Sequence, residues 1–517
     1  MRGTSRFWRA LEQARAMNLE DAGCAPAARG GDGISRRRVL AAIAGGMGLA
    51  ALPRWPAFAS APLRVAIVGG GLAGLTALDT LRAHGAEATL YEARAAAGGR
   101  TRSVQGVFAP DFAFDEGAQL VNSDHQDLLR LVRRFRLRLV DRRAFGAAHE
   151  IQIGRRGGAV SEADLASALR GIAARITADS DRLDQDYASV AAEIDAFSVR
   201  DYLDRHGLAP GDARDALEAT IRTEYGVEPH GASALELLFN LPTVDGRRLT
   251  RIGTSDERYL ISGGTAQVAQ ALAAEHQARI RLGKRLTALD LTGPTARLAF
   301  ADGSDAEADR VILALPAPLL REVRIDGPLP PLWRSLIEEV RLGRNEKVIV
   351  GYDDQGWRRR IGFGGAVWAA GDYSAIWDAA STSPKPGSGA LCFFLGGDQV
   401  DAAASASTAD LAARFTASAR RVLPGLPDPN GRVRRTRWCD DPLTGGAYVN
   451  FRPGQLTRFG SLLAIEEEGE VRAARAGPLL IAGEWVSDAW PGFMNGAIQT
   501  GRLAAEAALA PAAALAA

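Results

Sequence analysis

Apolar and polar positions change period several times along this chain, and the changes mark its elements. Val65 to Val68 is an unbroken apolar run, the pattern of a strand buried on both faces of a parallel sheet. Leu72 to Arg82 has helical spacing and ends at His84-Gly85, and Ala88 to Tyr91 reads as a second strand. A helix is expected over Asp127 to Phe135. From about 147 to 250 the period is mainly helical, with amphipathic stretches at Leu165 to Ile176, Val190 to Phe197, Val199 to His206 and Ala216 to Glu224. Strand character returns at Tyr259 to Ile261, Ile280 to Leu282, Leu286 to Leu291, Arg297 to Phe300 and within Asp309 to Pro316, around a helix at Ala266 to Glu275. These strands are expected to extend the first sheet. Further strands are predicted at Glu346 to Val350, Phe363 to Ala370, Ala390 to Gly396 and Val433 to Trp438, with a helix at Asp410 to Val422. Pro478 to Ala505 reads as a strand, a loop and a long helix from about Gly496.

The order predicts an α/β protein with a discontinuous dinucleotide-binding domain (residues 61–145, 255–325 and 442–510) and an inserted α+β domain (146–254 and 326–441). A chain of 517 residues is expected to form two or three domains. Hydrophobic content of 47% and a net charge of +1 give no electrostatic footprint for nucleic acid. Cys24, Cys392 and Cys439 have no metal-site spacing and read as unpaired thiols.

The first 60 residues read as a leader outside the fold. Ser35-Arg36-Arg37-Arg38-Val39-Leu40, an apolar Gly- and Ala-rich stretch and Ala57-Phe58-Ala59 are the parts of a twin-arginine export signal. The apolar run, about 14 residues, is short for a membrane span, so no stable anchor is expected. Cleavage after Ala59 would leave 53 basic against 57 acidic residues and place the protein in the periplasm or outside the cell.

The most specific chemistry lies at Val65 to Gly74. Gly69, Gly71 and Gly74 have G-x-G-x-x-G spacing between strand and helix, and Glu92 ends the next strand, where its carboxylate can accept from ribose hydroxyls. The helix N-terminus offers amides to a pyrophosphate. Gly98-Gly99-Arg100-Thr101 is a second glycine turn, in which Arg100 can neutralise phosphate charge. No G-x-S-x-G, H-E-x-x-H or P-loop is present, so the cofactor is expected to carry the chemistry. Glycine spacing alone does not separate NAD from FAD.

The paired glycine motifs with GGR, the strand at 309–316, Lys347 in its strand, the 438–454 stretch and the C-terminal GE…WPGFMNGAI run together resemble the flavin-containing amine oxidase family, from about residue 61 to 510. That family includes monoamine oxidases, polyamine oxidases and L-amino-acid oxidases. The resemblance implies a glutathione-reductase-type FAD domain, with Glu92 on the adenosine ribose, Gly69, Gly71 and Gly74 at the pyrophosphate, and Gly99 and Arg100 near the phosphates. It places Leu286 near the adenine and Glu484 on the ribityl side, and Met494 and Ala497 are further cofactor-binding candidates. Lys347 matches the lysine that holds a water against flavin N5. Tyr448 and Phe493 match the two walls of an aromatic cage, with Trp490 close by. Ala447 stands where mammalian monoamine oxidases attach flavin to cysteine, so the FAD is expected to be non-covalent.

The implied reaction is hydride transfer from an amine to flavin N5, hydrolysis of the imine to aldehyde and ammonia, and reduction of O2 to H2O2. Gly117 to His125 lacks the arginine that L-amino-acid oxidases of the family usually place there, which favours an amine without an α-carboxylate. Arg222 or Arg251 would reverse that preference, and Glu224 and Glu228 are the candidate polyamine-binding acids. The alternatives are an L-amino-acid oxidase giving a 2-oxo acid and a flavin desaturase or dehydrogenase that does not use O2. The expected partners are a small amine or amino acid, O2 and the twin-arginine translocation machinery; a homodimer is left open.

Overall fold

The structure, a computed structural model, describes residues 6–23, 63–142, 151–153, 157–239, 243–245, 248–250, 256–361, 363, 366–379, 387–467 and 470–510. Its first domain is built on a six-stranded sheet in the order Ile280–Leu282, Glu87–Glu92, Arg64–Val68, Arg310–Leu313, Leu479–Ile481, Arg475–Ala476. All neighbours are parallel except the last pair. Val65 pairs with Ala88 on one side and Arg310 on the other, so Gly69, Glu92 and Ala314 leave the sheet along one edge. Ligands of open α/β sheets bind at that carboxyl edge.

The two faces of this sheet are covered differently. Val65 and Ile67 pack under the helices Leu72–Ala83 and Met494–Leu509, while Ala66 and Val68 face Leu286, Leu289, Leu298 and Phe300. Those last residues belong to a separate four-stranded sheet, Asp305–Ala308, Ala296–Phe300, Leu286–Asp290, Arg324–Asp326. The expectation that Leu286 to Phe300 extends the first sheet is therefore corrected, and so is that for Tyr259–Ile261, which pairs antiparallel with Leu139–Asp141 in a separate two-stranded sheet. Burial strictly alternates along Ala296–Phe300, as in an antiparallel strand with one wet face, and such a strand cannot sit inside a doubly covered sheet.

The second domain has a seven-stranded sheet, Val433–Arg435, Asn345–Tyr352, Gly389–Gly396, Ala375–Asp378, Ala366–Trp368, Ile151–Ile153, Ala159–Val160. Its two central long strands, Asn345–Tyr352 and Gly389–Gly396, are buried at every position. Beside it lie the helices Glu162–Gln185, Tyr187–Asp195, Val199–Arg205 and Asp212–Tyr225. Ser161 caps the first by accepting from the Asp164 amide, and Ser198 with Asp201 forms a capping box on the third.

A second correction concerns the N-terminus. Arg6–Asp21 is a helix packed against Glu162–Gln185, with Phe7, Ala10, Leu11 and Ala14 in the main core. These residues repeat at i, i+3, i+4 and i+7, which is the period of a core-facing helix. The twin-arginine segment at 35–59, together with Cys24, lies outside the described residues. Among the described residues no helix is long and apolar enough to cross a membrane.

Residues 454–457 are pinned to the helical layer by Asp195, which is fully buried. Its carboxylate accepts from the Ser233 hydroxyl at 2.5 Å and from the amide and hydroxyl of Thr457 at 2.8 and 2.7 Å. Asp195→Ala leaves these donors unpaired and is expected to lower stability by about 3 kcal/mol in urea unfolding at neutral pH. A loss below about 1 kcal/mol would show that the junction is held by packing alone.

Candidate active site

The glycine turns and the aromatic residues near the C-terminus line one continuous cavity, with Gly69, Gly71 and Gly99 at one end and Lys347, Tyr448 and Phe493 at the other.

At the glycine end, Gly69 has φ +106, and a Cβ there would stand 2.5 Å from the Ala314 carbonyl oxygen. At Gly74 a Cβ would meet the Gly69 oxygen at 1.9 Å, so the helix can lie this close to the turn only without a side chain. Gly74 itself does not line the cavity. Gly71 faces open space, with nothing within 4 Å of its Cβ position, at the N-terminus of Leu72–Ala83. An uncovered backbone at a helix N-terminus is a fitting cradle for a pyrophosphate. Glu92 is buried, and its two oxygens accept from the Gly70 and Arg94 amides at 2.6 and 2.7 Å, leaving lone pairs for ribose hydroxyls. Gly99 and Leu286 line the same end. Arg100 donates to Glu484 at 2.9 Å, and the other Glu484 oxygen accepts from the Gly492 amide at 2.8 Å. The phosphate-side arginine and the ribityl-side glutamate thus form one ion pair, which also fixes the loop carrying Phe493.

At the other end, Lys347 lies opposite Phe394 in the paired strands, so both side chains emerge on one face. The Lys347 ammonium donates to the carbonyls of Asp115 and Gly117 at 2.9 and 2.7 Å and, at 3.4 Å, to Gln119 Oε1. Burial pushes its pKa below the usual lysine range. Gln119 Oε1 also accepts from Trp377 Nε1 at 3.2 Å, and Trp377 packs on Phe394 with ring centroids 5.1 Å apart. Tyr448 and Phe493 both line the cavity with Trp438, Met494 and Ala497. A Cβ on Gly492 would touch the Tyr448 side chain at 3.2 Å, so the loop that carries Phe493 lies against Tyr448. Burial, and after it the charge of Glu224, holds the Tyr448 phenol protonated. Ala447 lines the cavity, and the free thiols Cys392 and Cys439 are not among its lining residues.

Three expectations change. Trp490 is set back from the cavity and packs against His125, with centroids 5.0 Å apart. Arg222 cannot clamp a carboxylate in this arrangement, because it is engaged by Glu228 at 2.7 to 2.9 Å and by Glu218 at 3.2 Å. Glu228 is consequently Arg222's partner and not an acid of the cavity, whereas Glu224 remains near Tyr448. Arg251 lies outside the described residues. Gln119, Trp377 and Phe394 were not singled out from sequence. The pattern marks Phe394 as buried, but only the strand register sets it beside Lys347.

His125 was also missed. It is fully buried at the start of the helix Gln126–Arg134, edge-on to both Trp490 and Phe493. Its Nδ1 accepts from the Asn122 amide at 3.2 Å, which puts the proton on Nε2, and burial lowers its pKa to about 3. Below its unfolded value of 6.5 the unfolded chain takes up a proton that the folded protein refuses until about pH 3, so stability falls with acidification across that window. His125→Phe is expected to flatten the slope of unfolding free energy between pH 6 and 4, by up to about 1.4 kcal/mol per pH unit. Urea titrations at several pH values check this, and unchanged slopes would contradict it.

Known proteins of the same shape and sequence pattern share this arrangement of domains. The sequence profile described as "Flavin containing amine oxidoreductase" matches residues 72–509. The chain is 24% identical over 470 residues to a flavin-containing amine oxidase of Danio rerio, covering 85% of this chain and 84% of the relative. It is 25% identical over 477 residues to an L-amino acid dehydrogenase of Synechocystis, covering 85% and 93%. In structure it is similar to a putrescine oxidase bound to putrescine (TM-score 0.73, 22% identity, 87% of this chain and 100% of that one). A cyclohexylamine oxidase from Brevibacterium oxydans gives a TM-score of 0.73 at 21% identity, over 88% and 100% of the two chains. These two likenesses establish the fold. A profile match running from the first helix of the dinucleotide motif to the last helix of the domain identifies the chain as a member of the flavin-containing amine oxidoreductase family.

Proposed function

We propose that this enzyme oxidises an amine lacking an α-carboxylate, with non-covalent FAD as cofactor and O2 as electron acceptor. The observation that carries the reading is the character of the cavity beyond the glycine turns. Its walls there include Phe394, Trp438, Tyr448 and Phe493 around Lys347, and the three arginines that line it, Arg94, Arg100 and Arg285, are each held by a carboxylate. Among the described residues no arginine is left for a substrate carboxylate at the aromatic end.

Bound FAD would supply the ring that takes two electrons from the amine and passes them to O2, giving hydrogen peroxide. Gly69, Gly71, Gly99 and Glu92 would hold its dinucleotide portion, and Glu484 with Arg100 its middle. Tyr448 and Phe493 exclude water and present ring faces that favour partial positive charge on nitrogen. A slot of this kind disfavours the ammonium form and so supplies the neutral amine that oxidation requires. Lys347 is a proton donor fixed by two carbonyls. Its longest bond, to Gln119, is the one a water at the ring could replace. The imine released from the slot is hydrolysed to aldehyde and ammonia.

A second reading, oxidation of an L-amino acid to a 2-oxo acid, draws support from the similarity to the Synechocystis enzyme, with Arg251 as the candidate guanidinium. Anaerobic addition of primary amines, polyamines and L-amino acids to the purified protein separates the two. Bleaching of the flavin absorbance by amines is expected, and bleaching by L-amino acids alone would overturn the proposal. Lys347→Met should lower kcat by about 100-fold or more while leaving the flavin bound.

We also infer export through the twin-arginine route to the periplasm or beyond, on the strength of Ser35 to Leu40, the apolar stretch after it and Ala57-Phe58-Ala59. Replacing Arg36 and Arg37 together by Lys should retain the protein in the cytoplasm, as read by fractionation. Unchanged export of that variant would refute the signal.

A further inference from the structure

The helix Arg6–Asp21 precedes the export signal in sequence yet is built into the substrate domain. Phe7, Ala10, Leu11, Ala14 and Leu19 are buried, and the helix lies against Glu162–Gln185 with its edge touching Asp212–Tyr225. The contact is specific as well as apolar. Asn18 donates to the Arg170 carbonyl and accepts from Arg170 Nε, both at 2.9 Å, and Asp21 pairs with the same guanidinium. Arg15, 1% exposed, donates through Nε to Thr177 Oγ1 at 3.0 Å. A leader discarded after translocation has no need of a buried arginine or of a side chain that both donates to and accepts from one partner residue. The opposing surface makes the same point. Glu162–Gln185 keeps Leu165, Ala166, Leu169, Ile172, Ala173 and Ile176 buried, an apolar face too long for one neighbour, and the N-terminal helix is the element it shares most contact with.

We propose that the groove on Glu162–Gln185 is a docking site for residues 6–21, and that the helix stays in it when the chain between Gly23 and Leu63 is cut. A cut in that stretch would then give a two-chain enzyme, body and docked helix, not a shortened one. The docking does not rest on the export reading above. The helix backs Asp212–Tyr225, the element that carries Glu224 towards Tyr448, so its loss would also loosen the substrate side of the site.

The test is to insert a site-specific protease sequence at Gly30-Gly31 of the full, flavin-loaded chain and to cut it after folding. Gel filtration at micromolar concentration with mass spectrometry of the main peak then reads where the fragment goes. Co-elution of the N-terminal fragment with the body, and its release only in denaturant, is the expected result. Leu11→Asp in the same protein should release it by at least tenfold in the retained fraction, and the cut body freed of its fragment should melt about 5 °C or more below the uncut protein. Because the cut follows folding, misfolding cannot imitate dissociation. Separation of the wild-type fragment from a folded, yellow body would overturn the proposal. Failure of the natural chain to be cut after Ala59 in cells would overturn the export reading and leave the docking result standing.

Discussion

A buried ammonium joins the two domains. Lys347 belongs to the substrate-side sheet, and the carbonyls of Asp115 and Gly117 that receive its protons belong to the nucleotide-binding side. Removing a charged amine from water is costly unless its donors are met, so the loop from Asp115 to Gln119 has to present its acceptors in fixed positions. Much of the surrounding structure serves that requirement. Asp115 accepts from the Thr265 amide and hydroxyl at the start of Ala266–Glu275, tying the loop to a helix of the first domain. Glu116 is gripped by Arg102 and Arg434, one from each side of the junction. Trp438 donates to the Glu116 carbonyl and Trp377 to Gln119, so two aromatic residues of the second domain close the loop from above.

The same loop continues into the rest of the site. Gly117 and Ala118 lead to Asn122 and His125, and His125 stands behind Phe493 as a neutral ring. On the opposite side, Glu484 links Arg100 of the second glycine turn to Gly492, next to the Tyr448 side chain. Two chains of contact, one through Lys347 and one through Glu484, therefore set the aromatic walls at a defined place relative to the glycine turns. This is how a chain whose cofactor domain is interrupted twice can still hold reacting groups in register.

In the substrate domain two nearby acids stand in different surroundings. Arg222 and Glu228 form an ion pair outside the cavity, while Glu224, two residues from Arg222 on the same helix, places its field on the Tyr448 phenol. Arg222 and Glu224, two residues apart on Asp212–Tyr225, point in different directions, and Glu228 meets Arg222 from beyond the helix end at Gly226.

Local order was legible from sequence wherever a few consecutive residues decide it. The strand at Val65, the glycines after it and Glu92 form one βαβ unit, closed by short connections, and apolar runs and glycine spacing suffice to specify it. The helix at 6–21 has a local apolar period at Phe7, Ala10, Leu11 and Ala14, but the sequence reading takes the first 60 residues as a leader, and only packing on Glu162–Gln185 places it in the fold. Which sheet a strand joins was decided by tertiary structure alone: the hairpin turn at Asp302-Gly303 makes Ala296–Phe300 antiparallel to Asp305–Ala308, but only packing sets that hairpin in a second sheet. So were the partners of Lys347 and Gln119, which lie 232 and 258 residues away from Asp115 and Trp377 respectively. Periodicity tells each residue which face it occupies, and it carries no information about what arrives on the other side of that face from a distant part of the chain.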